Sequence, residues 1–292
     1  MSNRFKTIAL IAKPGDTDVA STLVTLTEEL ERRKLRVLLD TTAAAYFKPA
    51  SAEVMERSKL VAHCDLAIVM GGDGTLLNAS RSLVGANVPV LGVNLGRLGF
   101  LADVSPDEMC ERLDEILAGD YEEEHRSLLH AEVYRNGALV NEADALNDAV
   151  VHKWDIARMI EVDTHIDDKY LNTVRADGLI VSTPTGPTAY ALSGGGPILD
   201  PALDALVLVP ICPHMLSNRP IVVSDRVKID IRLHGDGDNK AQITCDGQVN
   251  FTLFGGDLIR IRRKHHELRL IHPRGHDHFE IMRKKLRWAE QP

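Results

Sequence analysis

The sequence predicts two domains, an α/β doubly wound N-terminal domain and a mostly antiparallel, β-sandwich-like C-terminal domain. Three observations carry this expectation. At 292 residues the chain has material for two separate cores. Its first part alternates short apolar runs with helical stretches, the βαβα pattern of a parallel sheet. The remainder is a succession of strand-like runs with few helical windows between them.

The runs "TIALIA" (7–12), "RVLLD" (36–40), "DLAIVM" (65–70) and "VPVLGV" (88–93) are apolar on both faces, as parallel strands covered by helices must be. Between the first two, Val19, Leu23, Leu26 and Leu30 recur at helical spacing amid Glu28, Glu29, Arg32 and Lys34. A later helix, "SPDEMCERLDEILAGD", is expected to open on Ser105 as cap with Pro106 at its first position, and to stop at Gly119. This places the α/β domain at 1–122 and the β-rich domain at 123–271. In the latter, Asn136-Gly137 is a strong two-residue hairpin signal, and "TAYALSGGG" reads as a short helical interruption. The tail 272–292 carries Phe279, Ile281, Met282, Leu286 and Trp288, apolar residues that need cover, so it is expected to dock back on the first domain.

Composition excludes several function classes. With 34 Lys+Arg against 42 Asp+Glu, a net charge of −8, the chain is a poor duplex binder, so no nucleic-acid partner is expected. The apolar run at the N-terminus is too short for a membrane span and lacks a signal-peptide cleavage pattern, so a soluble, cytoplasmic protein with no membrane partner is expected. Cys64, Cys110, Cys212 and Cys245 form no CxxC pair and read as reduced, mostly packed thiols.

The segment "IVMGGDGTLL" carries the chemistry. Gly71, Gly72, Asp73, Gly74 and Thr75 follow a strand and precede a helix, at the strand end where open α/β sheets bind ligands. Glycines let amides approach a phosphate, and the helix N-terminus adds unpaired N–H groups. A carboxylate in such a nest repels phosphate, and it makes sense if Asp73 orients a hydroxyl nucleophile or takes its proton. The other reading is a strand-to-helix turn in which Asp73 caps the helix. Neither G-x-x-x-x-G-K-[ST] nor, in "GVNLGRLG", the G-x-G-x-x-G spacing is present.

Together, "GGDGT" (71–75), "NLGRLGFL" (94–101), "LNDAVVH" (146–152), "DGLIVSTPTGPTAYALSGGGPIL" (177–199) and "CDGQ" (245–248) resemble the bacterial NAD kinase family, in order and over most of the chain. The resemblance implies transfer of the γ-phosphoryl of ATP to the 2′-hydroxyl of the adenosine ribose of NAD, giving NADP, with Mg²⁺ or another divalent cation arriving with ATP. It implies Asp73 as the essential carboxylate, and Asn147 with Asp148 as the pair holding the dinucleotide ribose. Asp177, Thr185, Thr188, Ala189 and Tyr190 match positions around the adenine and nicotinamide pockets, Phe100 matches an aromatic wall, and Gln248 closes the last motif. A basic residue at Arg175 accompanies preference for NAD over NADH. The same likeness implies a homodimer or homotetramer.

The residues themselves agree with these roles: Asn147 beside Asp148 both donates and accepts, as a ribose diol requires, although such a pair is also common in a polar turn. The hydroxyl-rich "STPTGPTAY" suits a sugar-phosphate beside a tyrosine face, or a loop whose prolines fix φ. Departures from the family pattern are Pro187 for serine, Asp148 for glutamate and Gly194 for alanine. His272, His276 and His278 in "HPRGHDH" are read as exposed tail residues, and no protein metal ligand is expected. The basic run "IRRKHHELR" is read as a solvated strand or an oligomer contact. Two rivals share features with this assignment: a lipid or sphingoid kinase carrying the same glycine turn, and a non-catalytic NAD(P)-binding sensor.

Overall fold

The computed structural model describes residues 4–13, 18–49, 51–96, 99–155, 158–235 and 240–288. In chain order the elements are β1 (Thr7–Ala12), α1 (Asp18–Arg32), β2 (Arg36–Asp40), β3 (Glu53–Met55), α2 (Arg57–Leu60), β4 (Leu66–Gly71), α3 (Asp73–Leu83), β5 (Val90–Asn94), α4 (Met109–Ala118) and β6 (Tyr121–Arg126). Then come β7 (Leu129–Arg135), β8 (Ala138–Ala145), β9 (Asp148–Lys153), β10 (Ile160–Ile166), β11 (Lys169–Ala176), β12 (Gly178–Ser182) and α5 (Tyr190–Ser193). The chain ends with β13 (Ala205–Ile211), β14 (Ile221–Ser224), β15 (Ile229–Leu233), β16 (Lys240–Cys245), β17 (Val249–Phe254), β18 (Leu258–Arg263), β19 (Leu268–Pro273) and α6 (His278–Leu286).

Two compact units divide the chain at His125/Arg126 and at Glu267/Leu268. The second division falls four residues before the 271/272 limit expected from sequence, because β19 pairs in parallel with β5, with Leu270 opposite Val90. The first unit is a seven-stranded sheet in the order β3-β2-β1-β4-β5-β19-β6. Its β1–β2, β1–β4, β4–β5 and β2–β3 pairs are all parallel. The order reverses at β1/β4, so the carboxyl ends of these two strands flank the crevice where doubly wound sheets take ligands. Val19, Leu23, Leu26 and Leu30 of α1 are fully buried in one core with Ile8 and Leu10, which is why that spacing folds as a helix against the sheet.

Helix α4 begins at Met109 rather than Pro106. Ser105 Oγ still accepts from the Glu108 N–H at 3.4 Å and donates to its carboxylate, closing a turn ahead of the helix. Gly119 ends the helix at φ 90°, as expected. In α6, Ile281 and Met282 are buried, whereas Phe279 stays exposed because so short a helix presents one face only, and Trp288, just beyond the helix, is exposed too.

The second unit holds two antiparallel six-stranded sheets, β11-β10-β15-β18-β7-β8 and β14-β13-β12-β9-β16-β17. Side chains of both, such as Val133, Val162 and Ile259 from one and Val151, Val181 and Ile243 from the other, fill a single core. The β7–β8 hairpin turns on Asn136 and Gly137, both at positive φ, the geometry this dipeptide favours. The basic strand β18 is neutralised from its neighbours: Arg260 pairs with Asp230 and Arg262 with Glu132. All four cysteines are free, and burial holds for Cys245 but not for Cys212, which is exposed. Among the described residues no helix is long and apolar enough to cross a membrane.

Candidate active site

Strand β4 is buried along its whole length and delivers Gly71 and Gly72 at its carboxyl end. Gly71 has φ 155°, and a Cβ there would come within 2.3 Å of Thr75 Oγ1, so this glycine makes room for the threonine. Gly72 is the N-cap of α3, and a Cβ on it would meet nothing within 4 Å. Gly74 is exposed in the first turn. The space at Gly72, on the N-terminal turn of a helix, is the surface expected for an anion.

Asp73 does not cap its helix. It is the first helical residue, and its carboxylate turns away to accept three successive amides from another loop. Phe100 N–H donates to Oδ2 at 2.8 Å, while Leu101 and Ala102 N–H donate to Oδ1 at 3.0 and 3.3 Å. Gly99 is needed beneath them, since a Cβ there would sit 2.2 Å from Asp73 Oδ1. A carboxylate offers about four acceptor positions, so the three amides leave one on Oδ2 for a further donor. The "NLGRLGFL" motif is thus the loop that grips Asp73; its Arg97 and Leu98 lie outside the described residues. The Phe100 ring lies under the Lys285 ammonium, 5.1 Å from the ring centre.

The second unit repeats this device. Asp246, in the hairpin turn between β16 and β17, accepts from Leu146 N–H at 3.0 Å, Asn147 N–H at 2.7 Å and Asp148 N–H at 3.3 Å. The turn suits the sequence Asp246-Gly247, both at positive φ. The carbonyl of Asn147 is held in turn by Thr183 N–H at 2.9 Å and Ser182 Oγ at 3.1 Å. Gly186 closes over it, with room for no side chain. The Asn147 side chain has no hydrogen-bond partner among the described residues, so a fixed backbone presents an uncommitted amide.

Asp148 is buried, and burial followed by repulsion from Asp246 pushes its carboxyl up to about 7. The pairing of Ser182 with Asp148 and of Cys245 with Ala149 brings the end of β12, the start of β9 and the end of β16 together. Thr185 is buried beside Arg126, and Thr188 donates to the Thr185 carbonyl at 3.2 Å. Ala189 leads into α5, and the ring of Tyr190 is exposed. Pro187 sits buried at the start of a 3-10 turn, where its missing N–H and fixed φ cost nothing. Gly194 is needed where it stands, since a Cβ would meet Val209 at 2.9 Å.

Asp177 is held by Lys153 at 2.7 Å. Arg175 is exposed, 3.6 Å from Glu161, on the wall of a cavity of about 460 Å³ that also includes Trp154 and His234. Gln248 is exposed, with its N–H closing the Cys245–Gln248 turn. Sequence reasoning selected Gln248 from "CDGQ" and missed Asp246, although an aspartate before glycine in a turn was the available signal. It also read His272 and His276 as exposed. His272 is buried and His276 nearly so, stacked 3.8 Å apart, because Gly275, at φ 80°, folds the chain back on β19.

A doubly wound sheet with a glycine turn and an amide-held carboxylate at its switch point, followed by a β-sandwich unit, defines a nucleotide-handling phosphotransferase class. Residues 8–121 match the model of the ATP-NAD kinase N-terminal domain and residues 146–273 that of the ATP-NAD kinase C-terminal domain. The chain belongs to the ATP-NAD kinase family. It is 48% identical over 287 residues to the NAD kinase of Chromohalobacter salexigens, covering 98% of each chain. It is 46% identical over 287 residues to that of Pseudomonas fluorescens, covering 98% of this chain and 97% of the relative. The NAD kinase of Archaeoglobus fulgidus, solved in complex with ATP, superposes with a TM-score of 0.74 at 27% identity, over 96% of this chain and 98% of that one. Yeast NADH kinase, solved with NADH, shares the fold at a TM-score of 0.91 and 24% identity, over 99% of this chain and 90% of that one.

Proposed function

We infer that the protein is an ATP-dependent NAD kinase, which moves the γ-phosphoryl of ATP to the 2′-hydroxyl of the adenosine ribose of NAD and yields NADP. The observation that carries the mechanism is the Asp73 carboxylate, fixed by three backbone amides with one acceptor position spare. That position accepts the proton of the ribose hydroxyl as the bond to phosphorus forms, and the amides hold the carboxylate in place without a side chain that has to be ordered first. Gly72 leaves the first turn of α3 open to the phosphates, with exposed Gly74 beside it. Asn147 and Asp148, set by Asp246, hold the acceptor ribose. Thr185, Thr188, Ala189 and Tyr190 line the base and sugar, with Phe100, Asp177 and Gln248 completing the dinucleotide contacts. ATP brings Mg²⁺ or another divalent cation, which keeps water ligands and binds phosphate oxygens. A lone carboxylate already accepting three amides fits that arrangement, and the ion supplies charge neutralisation.

Family membership speaks against a lipid kinase, and retention of Asp73 in its grip speaks against a sensor that has lost turnover. Four free cysteines suit a reducing, cytoplasmic setting. Exposed apolar Met215 and Leu216 in the second unit suit a homodimer or homotetramer, which sedimentation would measure. The test of function is the purified chain with ATP, Mg²⁺ and NAD: NADP should appear mole for mole with ADP. ATP consumption dependent on a lipid instead of NAD, or none at all, would refute it.

A further inference from the structure

We propose that Asp103, His272 and His276 form a binding site for a divalent transition-metal ion of the zinc class, held by one carboxylate oxygen and the two Nδ1 atoms. One ligand atom from each lies within 4.8 Å of the other two. His272 Nδ1 is 3.1 Å and His276 Nδ1 2.7 Å from the same oxygen, Asp103 Oδ2. These are hydrogen-bond distances, shorter than the roughly 3.3–3.6 Å edges of a tetrahedron with metal–ligand bonds of about 2.0–2.2 Å, so the three side chains would part slightly to admit the ion. The H-x-x-x-H spacing is that of a zinc-binding pair, delivered by a glycine turn instead of a helix. Gly275 N–H, bound to Glu122 at 3.1 Å, fixes that turn.

Two further observations point to a missing partner. Asp103 Oδ1, on the carboxylate that would ligate, is buried and makes no hydrogen bond, and His276, whose Nδ1 would ligate, is about nine-tenths buried. A metal ligated by the Nδ1 atoms would give the cluster a central cation where two imidazole nitrogens now share one carboxylate oxygen. On the far side of His272, Nε2 lies 3.3 Å from the Glu124 carboxylate, an ion-pair contact without a formed hydrogen bond, in the place where an outer partner orients a ligating imidazole. Imidazole and a single carboxylate favour Zn²⁺, Co²⁺ or Ni²⁺ over the oxygen-seeking ion carried by ATP. Asp103 directly follows Ala102, so the ion would pin the end of the loop whose amides grip Asp73. The proposal does not rest on the phosphotransfer reading.

The test uses the full chain without a polyhistidine tag, in a Cys212→Ser background, stripped with chelator and titrated with Co²⁺ in the absence of nucleotide. Saturation at one Co²⁺ per chain is expected, with a visible spectrum of low-coordinate Co²⁺ that Zn²⁺ abolishes, and with a rise in Tm on adding Zn²⁺. His276→Gln and Asp103→Asn should lose the spectrum and the rise. No saturable binding by the parent chain, or an unchanged spectrum in His276→Gln, would overturn the proposal; the parent titration stands even if a variant fails to fold.

Discussion

The N–H of Phe100 donates to Asp73 Oδ2 at 2.8 Å, across a sequence separation of 27 residues. This bond and its two neighbours make the carboxylate both an anchor for the loop and a group held ready for chemistry. Asp73→Asn therefore acts on stability as well as on chemistry. Its NH₂ cannot accept, so it either faces an amide donor or leaves one unsatisfied, at a cost of about 1–3 kcal/mol. Asp246→Asn should show a similar loss of stability, since its three amide bonds match, and differential scanning calorimetry of the pair would measure both.

Gly72 and Gly99 separate binding from scaffold. Gly72→Ala should fold with a Tm close to the parent, because no atom lies within 4 Å of the added carbon, yet raise KM for ATP where the phosphates approach. Gly99→Ala should lower Tm and kcat together, since its carbon meets Asp73 Oδ1 at 2.2 Å. Equal ATP kinetics in Gly72→Ala and the parent would remove that glycine from the phosphate site.

Asp148 gives a pH dependence of unusual sign. Its carboxyl titrates from 3.8 in the unfolded chain to about 7 in the folded one. Between those values the folded chain keeps a proton the unfolded chain has released, so stability falls as pH rises and levels off above 7. Asp148→Asn should flatten this slope and be the more stable form above neutrality by on the order of a few kcal/mol. Urea melts across that range would measure it, and parallel curves for the two proteins would contradict it.

Arg175 is exposed and 3.6 Å from Glu161, outside hydrogen-bond reach, so its guanidinium is available to a ligand. NADH should be a poor acceptor relative to NAD, and Arg175→Gly should narrow the ratio of the two kcat/KM values. Comparable values for both acceptors in the parent would refute this.

The strands of the first sheet were legible because β1, β4 and β5 are buried on both faces and read as unbroken apolar runs. Strand β6, "YEEEHR", was not, since it lies at the edge of the sheet and its charges are partnered rather than replaced by apolar residues, Glu123 by Arg269 and Glu124 by His272, with Arg126 buried. The place of β19 was hidden for a different reason: its pairing with β5 joins residues far apart in sequence. At the candidate site, "GGDGT" announced Asp73 by residue type alone. Its grip by Phe100, Leu101 and Ala102 runs through backbone amides that carry no side-chain signature, whereas Asp246, whose carboxylate grips Asn147, stood before a glycine in plain sight and was legible only once its amide donors were located.

The most direct measurement of the central claim is the single-turnover rate of phosphoryl transfer from ATP to NAD at saturating substrates, comparing the parent with folded Asp73→Asn. A positioned carboxylate that takes the hydroxyl proton predicts a fall of roughly 10²- to 10⁴-fold in that rate, with NAD affinity little changed. Asp246→Asn, which loses the same kind of anchor, should instead act mainly through NAD affinity. A folded Asp73→Asn protein that transfers phosphoryl at close to the parent rate would leave Asp73 as an anchor alone and contradict the account.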